Sequence, residues 1–254
     1  MIIIMNLYTK FPLYGQQSYI TKLPQKTICS YFPHSLSANK KASIVSYSMP
    51  GNNKTGYNIS HFRGIVLDHI TNIQECMIDR NEERECSCKF CNCRPIYNLD
   101  DYKHGSSTYV SQLCYYMKVY RKCAFNNGVV IGLGIGSLSG CLATHCPNID
   151  FMTVDVDPTA VRVSRDFFGY RSTNIAVLDA TEYMRSVKYK TLDFVIVDCS
   201  AQHMIPASCR SKQLLQYSHR VLNNTKGTFA INTISMPSVI NEYYVGPLSK
   251  YMSD

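Results

Sequence analysis

The sequence has no long hydrophobic run and no block of basic residues. Its opening apolar stretch, Met1–Met5, ends at the polar Asn6 and is too short for a membrane span or for the apolar part of a signal peptide. The 26 basic residues give a net charge of +8, but they are scattered and show no zinc-finger spacing or RNP-like aromatic motif. These absences disfavour membrane insertion and nucleic-acid binding, and they predict a cytoplasmic protein.

The composition indicates a globular chain with reduced cysteines. The 254 residues are 45% hydrophobic, which is enough for one large domain or for a domain with a smaller companion. Twelve cysteines would indicate disulfides in a small secreted protein. In a chain of this size without an export signal, we expect most of them to be thiols.

A glycine-rich turn between two apolar stretches is the most informative feature of the sequence. The run 128–133 enters a turn containing Gly132, Gly134 and Gly136, and a second apolar run ends in Asp155, nineteen residues later. Glycine is favoured there because a Cβ would keep the backbone from a ligand and oppose the positive φ of a sharp turn. A carboxylate at the end of the second strand can accept hydrogen bonds from both hydroxyls of a ribose. This layout is typical of a nucleoside-binding βαβ unit.

The spacing of the glycines differs from that of a dinucleotide-binding turn. Dinucleotide-binding turns have the pattern G-x-G-x-x-G, with the pyrophosphate at the helix N-terminus. Here the pattern is G-x-G-x-G, followed by Ser137. The alternative is that the glycines only interrupt the end of a strand and that no ligand binds there. The position of Asp155, nineteen residues after Gly136, disfavours this alternative.

From residue 128 onward, predicted strands and helices alternate. The strand candidates are 128–133, 150–155, 174–178, 192–198 and 227–232, and the helix candidates are 137–145, 158–168, 180–187 and 209–222. The alternation predicts an α/β fold with a Rossmann-like, doubly wound and mostly parallel sheet, whose ligand crevice lies at the carboxyl ends of the strands. Asp155, Asp179 and Asp198 all fall at that edge.

The first hundred residues are predicted to form a small β-rich module. Strand candidates at 42–47 and 61–68 flank the turn-rich segment 50–56. We therefore expect two domains, with the N-terminal module and its Cys-rich insertion at 1–103 and a Rossmann-like cofactor-binding domain at 104–254.

A helix is predicted between about 105 and 124. Ser106 or Ser107 can cap its N-terminus. Its apolar residues recur at threes and fours, at Val110, Leu113, Met117 and Tyr120. We expect this helix to pack against the parallel sheet.

The motifs in residues 128–235 resemble those of Rossmann-like S-adenosylmethionine-dependent methyltransferases, and within them the spermidine synthase-like branch. The resemblance rests on GLGIGSL at 132–138, VDVDP at 154–158 and FFG at 167–169. These segments are most similar to the methyltransferase-like group that modifies translation elongation factor 1-alpha on lysine or on the N-terminus. The resemblance implies S-adenosylmethionine as the cofactor, and a β-rich module before the nucleoside-binding domain fits this branch.

Carried over position by position, the resemblance implies a set of cofactor-binding residues. They are Gly132, Leu133, Gly134, Gly136, Asp155, Val156, Asp179, Ala180 and Asp198. In the family pattern the glycine turn lies beneath the methionine part of the cofactor, and Asp155 holds the ribose hydroxyls. Asp179 accepts from the adenine amino group beside the Ala180 backbone, and Asp198 lies near the sulfonium and the incoming nucleophile.

The other acids also have structural alternatives. Asp157 precedes Pro158 and is predicted to be a helix N-cap rather than a ligand contact. Asp179 could cap the helix that follows it, and Asp198 could be an ordinary loop carboxylate. For Asp155, the predicted strand, the glycine turn and the spacing between them all favour the role of a ligand contact.

One departure from the family pattern separates two reactions. Aminopropyltransferases carry Asp-Ser-Ser-Asp-Pro after the fourth strand, and the second acid holds and deprotonates the attacking amine. This sequence has DCSAQ at 198–202, and Ala201 can neither attract a diamine nor accept its proton. Methyl transfer rests largely on in-line placement of the nucleophile, although a lysine must first lose its proton. Asp198 and His203 are the candidate bases, and His203 is more often a surface residue in such a loop.

The sequence therefore predicts an S-adenosylmethionine-dependent methyltransferase whose substrate is a protein amine. Only about twenty residues follow the last predicted strand, too few for the helix and antiparallel hairpin that usually complete this class. We expect the C-terminal strands to be incomplete and the sheet edge to be exposed, so that a partner or a second copy could complete it. The alternatives are a non-catalytic methyltransferase-like binding or scaffold subunit and, less favoured, an aminopropyltransferase.

A cluster of cysteines lies in the N-terminal third, at Cys86, Cys88, Cys91 and Cys93. Thiolates this close could converge on Zn²⁺. The spacing C-x-C-x-x-C-x-C lacks the two separated C-x-x-C knuckles of a zinc ribbon, so an insertion loop with free or occasionally oxidised thiols is favoured. Metal analysis of protein purified under reducing conditions distinguishes the two, and a zinc ratio near zero excludes the metal.

Overall fold

The structure is a computed structural model that describes part of the chain. It describes residues 109–199 and 205–232 with their side chains. It also gives the backbone of residue 233 and of the strand segments 2–6, 26–33, 41–50, 59–67, 70–77 and 94–95. The candidate caps Ser106 and Ser107, the cysteine cluster at 86–93, and Ala201 and His203 lie outside the described residues.

The strands form two sheets. They are β1 (Ile2–Asn6), β2 (Lys26–Pro33), β3 (Lys41–Pro50), β4 (Ile59–Leu67), β5 (Ile70–Met77), β6 (Arg94–Pro95), β7 (Asn127–Ile131), β8 (Asp150–Asp155), β9 (Ile175–Val177), β10 (Phe194–Val197) and β11 (Thr228–Thr233). One sheet has the order β1-β11-β10-β7-β8-β9, and every pairing in it is parallel. The other, of order β2-β3-β4-β5-β6, is antiparallel throughout.

Helices alternate with the strands of the parallel sheet. They are α1 (Tyr109–Tyr115), α2 (Ser137–His145), α3 (Pro158–Phe168), α4 (Ala180–Ser186) and α5 (Lys212–Val221). The strand and helix bounds in this half agree with the predicted ones to within a few residues. The predicted α/β fold with a Rossmann-like parallel sheet is confirmed. None of the described helices is long and apolar enough to cross a bilayer.

Side chains of the parallel sheet are buried on both faces. On one face, Val195 and Phe229 belong to a core cluster that includes Met184 of α4 and Leu214 of α5. On the other, Phe194 and Ile196 pack in a cluster with Leu113 of α1 and Leu142 of α2. This two-sided cover explains why β10 is apolar at successive positions.

The first strand of the chain belongs to the parallel sheet. Ile2 pairs with Phe229 and Asn6 with Thr233, so β1 occupies the edge beside β11. A strand from the start of the chain therefore supplies backbone partners to β11. The division into a module at 1–103 and a domain at 104–254 stays a prediction.

The end of α1 departs from the predicted helical period. Residues 116–120 form a π-helical turn, in which the amide of Arg121 donates to the carbonyl of Tyr116 at 3.1 Å. Leu113 and Met117 are buried as predicted, but Tyr120 is 65% exposed and its assignment to the apolar face is wrong. A π turn holds more residues than an α turn, so the side chain at 120 is rotated away from the face that the 3.6 period predicts.

The structure pairs the cysteines of its described side chains as disulfides. The pairs are Cys114 with Cys141, Cys123 with Cys146, and Cys199 with Cys209. The expectation of reduced thiols is therefore wrong for these six residues. The packing of α1 against α2 brings Cys114 and Cys141 together, a proximity that residue spacing alone does not reveal.

We expect Arg220 to contribute to stability by capping α4. Its Nη2 donates to the carbonyl oxygens of Met184 and Arg185 at 2.9 Å and of Val187 at 3.0 Å, and its guanidinium lies over the Tyr217 ring. Arg220→Ala should lower the free energy of unfolding by about 1–2 kcal/mol, measured by chemical denaturation. Arg220→Lys keeps the charge but has a shorter side chain and no planar group to lie over the Tyr217 ring, so it should recover less than half of this loss. An unchanged free energy for the alanine variant would contradict the capping role.

Candidate active site

The glycine turn after β7 lies at the carboxyl edge of the parallel sheet. Gly132, Gly134 and Gly136 have φ of 100°, 54° and 85°, a region that favours glycine over other residues. A Cβ on Gly132 would collide with the backbone carbonyl of Asp198, whereas a Cβ on Gly134 would have no atom within 4 Å. The turn therefore packs tightly against the residue that follows β10 at Gly132, whereas Gly134 has free space beside its backbone.

Asp155 holds this turn against the end of β8. Its Oδ2 accepts a hydrogen bond from the amide of Leu133 at 2.7 Å, and its Oδ1 accepts one from the amide of Asp157 at 2.9 Å. A third amide, that of Gly134, donates to Oδ2 at 3.4 Å. A carboxylate has about four acceptor positions, so these three contacts leave capacity for one hydroxyl donor. Asp155 lies where the sequence predicts it, and it also orders the turn itself.

Two further acids are helix N-caps. Asp157 Oδ1 accepts from the amide of Thr159 at 2.8 Å, and Pro158 opens α3, so its predicted role as a cap is confirmed. Asp179 Oδ1 accepts from the amides of Thr181 and Glu182 at 2.8 and 3.2 Å. Capping occupies one carboxylate oxygen of Asp179.

Asp179 also borders a cavity of about 420 Å³ between α4 and α5. Gly134, Asp155 and Asp198 do not line this cavity. The Oδ2 of Asp179 accepts no hydrogen bond from the described part of the chain. Capping and ligand contact are therefore compatible at Asp179, since each can use a different oxygen.

Exposed apolar side chains accompany the acids at this edge. Val156 follows Asp155 and is 63% exposed, and Leu178 precedes Asp179 and is 39% exposed. The amide of Leu178 donates to the carbonyl of Asp155 at 3.0 Å, which brings the two strand ends together. Val156 is a predicted site residue, whereas Leu178 was missed. Exposed aliphatic side chains beside hydrogen-bonding acids suit the flat face of a nucleobase.

Ala180 is the first residue of α4 and packs in the core cluster on that face of the sheet. The whole residue is only 7% exposed, so its main chain offers a ligand little more surface than its methyl group does. The backbone contact of Ala180 stays a prediction.

Asp198 is the acid with the most unusual surroundings. It follows β10, and its amide donates to the carbonyl of Ile131 at 2.7 Å, beside the glycine turn. Its Oδ2 accepts from the Tyr109 hydroxyl and its Oδ1 from Asn232 Nδ2, both at 2.8 Å. Burial of the carboxyl raises the pKa of Asp198 from 3.8 to about 7, although the hydrogen bonds from Asn232 and Tyr109 oppose the rise. The interpretation as an ordinary loop carboxylate does not fit these surroundings.

Tyr109 and Asn232 are site residues that sequence reasoning missed. Burial, with the neighbouring Asp198, raises the pKa of Tyr109 well above its usual 10, so its hydroxyl stays protonated and donates. Asn232 comes from the end of β11, where the pairing of Val197 with Ile231 places the following residues of both strands side by side. The only signal for Asn232 in the sequence is a polar residue that closes an apolar strand.

The arrangement combines an open backbone turn with a proton acceptor. A carboxylate whose pKa is near 7 exchanges a proton readily at neutral pH, which is the property of a general base. In the described parts of the chain, no group of three or more His, Cys, Asp or Glu side chains is placed to hold a metal ion. The chemistry available from these residues is nucleoside binding next to proton transfer.

Comparison with known proteins agrees with this geometry at the level of the fold. A crystal structure of spermidine synthase in complex with the transition state analogue AdoDATO matches 89% of this chain and 64% of its own, with a TM-score of 0.50 and 14% sequence identity. Spermidine synthase from Thermotoga maritima matches with the same TM-score and identity. These two matches show a shared Rossmann-like fold and no more.

A curated relative and a further solved structure match parts of the chain. The polyamine aminopropyltransferase of Vibrio vulnificus strain CMCP6 is 26% identical over 112 residues, which are 42% of this chain and 37% of the relative. The match thus spans little more than a third of that enzyme's length. Human methyltransferase-like protein 13, in complex with SAH, is 21% identical, with a TM-score of 0.44 over 49% of this chain and 62% of its own. No protein-family model matches the chain.

Proposed function

We propose that this protein is an S-adenosylmethionine-dependent methyltransferase whose acceptor is a protein amine, on lysine or the N-terminus. The observation that carries the proposal is the placement of the open Gly134 backbone, the Asp155 carboxylate and the half-buried Asp198 at one edge of the parallel sheet. When bound there, S-adenosylmethionine supplies a methyl group on a sulfonium, a good leaving group. A spermidine synthase with this fold forms a complex with the transition state analogue AdoDATO, which supports a related ligand for this chain.

The binding half of the site would hold the cofactor by its adenosyl group. The exposed backbone at Gly134 has no side chain to exclude the ligand, and Asp155 has acceptor capacity for one ribose hydroxyl. Val156 and Leu178 offer apolar surface to the adenine, while Asp179 can accept from its amino group. Every one of these residues lies at the end of a strand or within three residues after it.

The reactive half of the site would be Asp198 with its two donors. An acceptor ammonium would give one proton to the Asp198 carboxylate, and the freed nitrogen lone pair would bond to the methyl carbon. The sulfonium would supply that methyl group and would leave as S-adenosylhomocysteine, with the carbon–sulfur electron pair on sulfur. Tyr109 and Asn232 fix the carboxylate during this step through their 2.8 Å hydrogen bonds.

Two other functions lead to different experimental outcomes. Aminopropyl transfer is favoured by the aminopropyltransferase relative and disfavoured by Ala201, which replaces the second acid of that family's motif. A non-catalytic binding or scaffold subunit would keep the cofactor site without turnover. Incubation with methyl-labelled S-adenosylmethionine and a cell lysate should label one discrete protein band. Cofactor binding without any labelled protein would favour the scaffold, and product from decarboxylated S-adenosylmethionine with putrescine would favour aminopropyl transfer.

Replacing Asp155 should weaken cofactor binding. Asp155→Ala removes the acceptor proposed for the ribose and is expected to cost about 1.5–3 kcal/mol of binding free energy for S-adenosylhomocysteine, measured by calorimetry. Asp155→Asn retains one acceptor oxygen and should lose less. Asp157→Asn is the matched control at the neighbouring helix cap, and it should bind as the wild type does. Equal affinities for the wild type and Asp155→Ala would contradict the ribose contact.

A further inference from the structure

Asn232 holds a buried acceptor that the described residues do not satisfy. The side chain is 7% exposed, and its Oδ1 has no hydrogen-bond partner in the described part of the chain. Its Nδ2 donates to Asp198 at 2.8 Å. Because buried polar groups are nearly always paired, an unpaired oxygen beside a candidate base indicates a partner supplied by a ligand.

The orientation of this amide is set by Asp198. A reversed amide would place a carbonyl oxygen against the Asp198 carboxylate, and the two acceptors would repel each other once Asp198 is ionised. The side chain therefore keeps its donor toward Asp198 and leaves Oδ1 for another donor. The missing partner must carry an N–H or O–H group and must lie beside the base.

We propose that Asn232 Oδ1 accepts a hydrogen bond from the acceptor amine and selects amines over alcohols, an inference that rests on the proposed function. An ammonium can give one proton to Asp198 and donate a second N–H to Asn232, and its lone pair then remains for the methyl group. An alcohol has a single O–H, which the base takes, so Asn232 would stay unpaired. A site with a buried polar group left unpaired rejects the wrong substrate.

Equilibrium binding of small probes tests this role without knowledge of the natural substrate. The probe is n-butylamine, with n-butanol as its counterpart, titrated by NMR into the S-adenosylhomocysteine complex at pH 9, where Asp198 is ionised. Asn232→Ala should raise the Kd for butylamine about ten-fold, as expected for one lost hydrogen bond, without changing the Kd for S-adenosylhomocysteine. Asn232→Asp, which keeps an acceptor oxygen, should retain butylamine binding.

Asn174→Ala is the matched control, because Asn174 also donates to an aspartate, Asp150, at 3.1 Å, but lies away from Asp198. It should leave the Kd for butylamine unchanged. Tyr109→Phe removes the other hydrogen bond to Asp198 and leaves Asn232 intact. Equal losses in Tyr109→Phe and Asn232→Ala, or a loss of butanol binding that matches the loss of butylamine, would overturn the inference. A weaker affinity of Asn232→Ala for S-adenosylhomocysteine alone would assign Oδ1 to the cofactor's own ammonium and would also overturn it. Absence of S-adenosylhomocysteine binding by the wild type would instead refute the proposed function.

Discussion

Asp198→Asn is expected to lower the rate of methyl transfer by about 10²–10⁴-fold, the contribution of a positioned general base. Asparagine has the size of aspartate but cannot take a proton from the acceptor amine. Binding of S-adenosylhomocysteine should change by only a few-fold, because the glycine turn and Asp155 remain in place. The measurement is single-turnover transfer from labelled S-adenosylmethionine, with calorimetry as the control for binding.

The pH dependence of the reaction should identify the same carboxylate. Since burial places the pKa of Asp198 at about 7, the wild-type rate should rise with pH up to about 7 and then level off. Asp198→Asn should lack this rise. A variant that keeps the wild-type rate and its acidic limb would show that Asp198 is not the base.

Stability should show the opposite dependence on pH. The pKa of Asp198 in the folded protein lies above its unfolded value, so the folded state favours the protonated form. This contribution is fully present below about pH 4 and is lost as the pH rises through about 7. Asp198→Asn should therefore lose less stability than the wild type between pH 4 and pH 8, measured by denaturation at each pH.

Gly132→Ala should destabilise the protein by about 2–5 kcal/mol, from left-handed backbone strain and overpacking together. The residue has a φ of 100°, and a Cβ there would collide with the backbone carbonyl of Asp198, which has no rotamer to move. A loss of this size is a large fraction of the stability of a typical domain. Thermal and chemical unfolding of the variant would measure it.

Gly134→Ala is the matched variant, because its Cβ would enter open space. The backbone strain at a φ of 54° should cost only about 1–2 kcal/mol, so the variant should fold. The same methyl group would occupy the crevice proposed for the cofactor and should weaken binding of S-adenosylhomocysteine more than ten-fold. If Gly134→Ala folds and binds as the wild type does, the turn does not form the cofactor site.

Local sequence patterns were sufficient to predict much of the parallel sheet and one half of the site. The glycine turn and Asp155 could be predicted from one short segment, because the first strand, the turn and the end of the next strand fall within 28 residues. The N-cap at Asp157 is equally local, because the capping oxygen and its amide are two residues apart. Patterns of this kind need no knowledge of distant contacts.

The other half of the site depends on distant contacts that the sequence does not reveal. Tyr109 and Asn232 meet Asp198 across separations of 89 and 34 residues. Tyrosine and asparagine are common residue types, and only the sheet order brings these three together. The pairing of β1 with β11 is also nonlocal. The apolar sequence of β1 does not indicate which strand it pairs with.

Titration of S-adenosylhomocysteine into the folded wild-type protein, followed by calorimetry, tests the central claim most directly. The account predicts saturable binding of one ligand per chain, weakened in Asp155→Ala and in Gly134→Ala. No heat of binding from folded protein, at concentrations well above micromolar, would contradict the assignment of this crevice to an adenosyl cofactor.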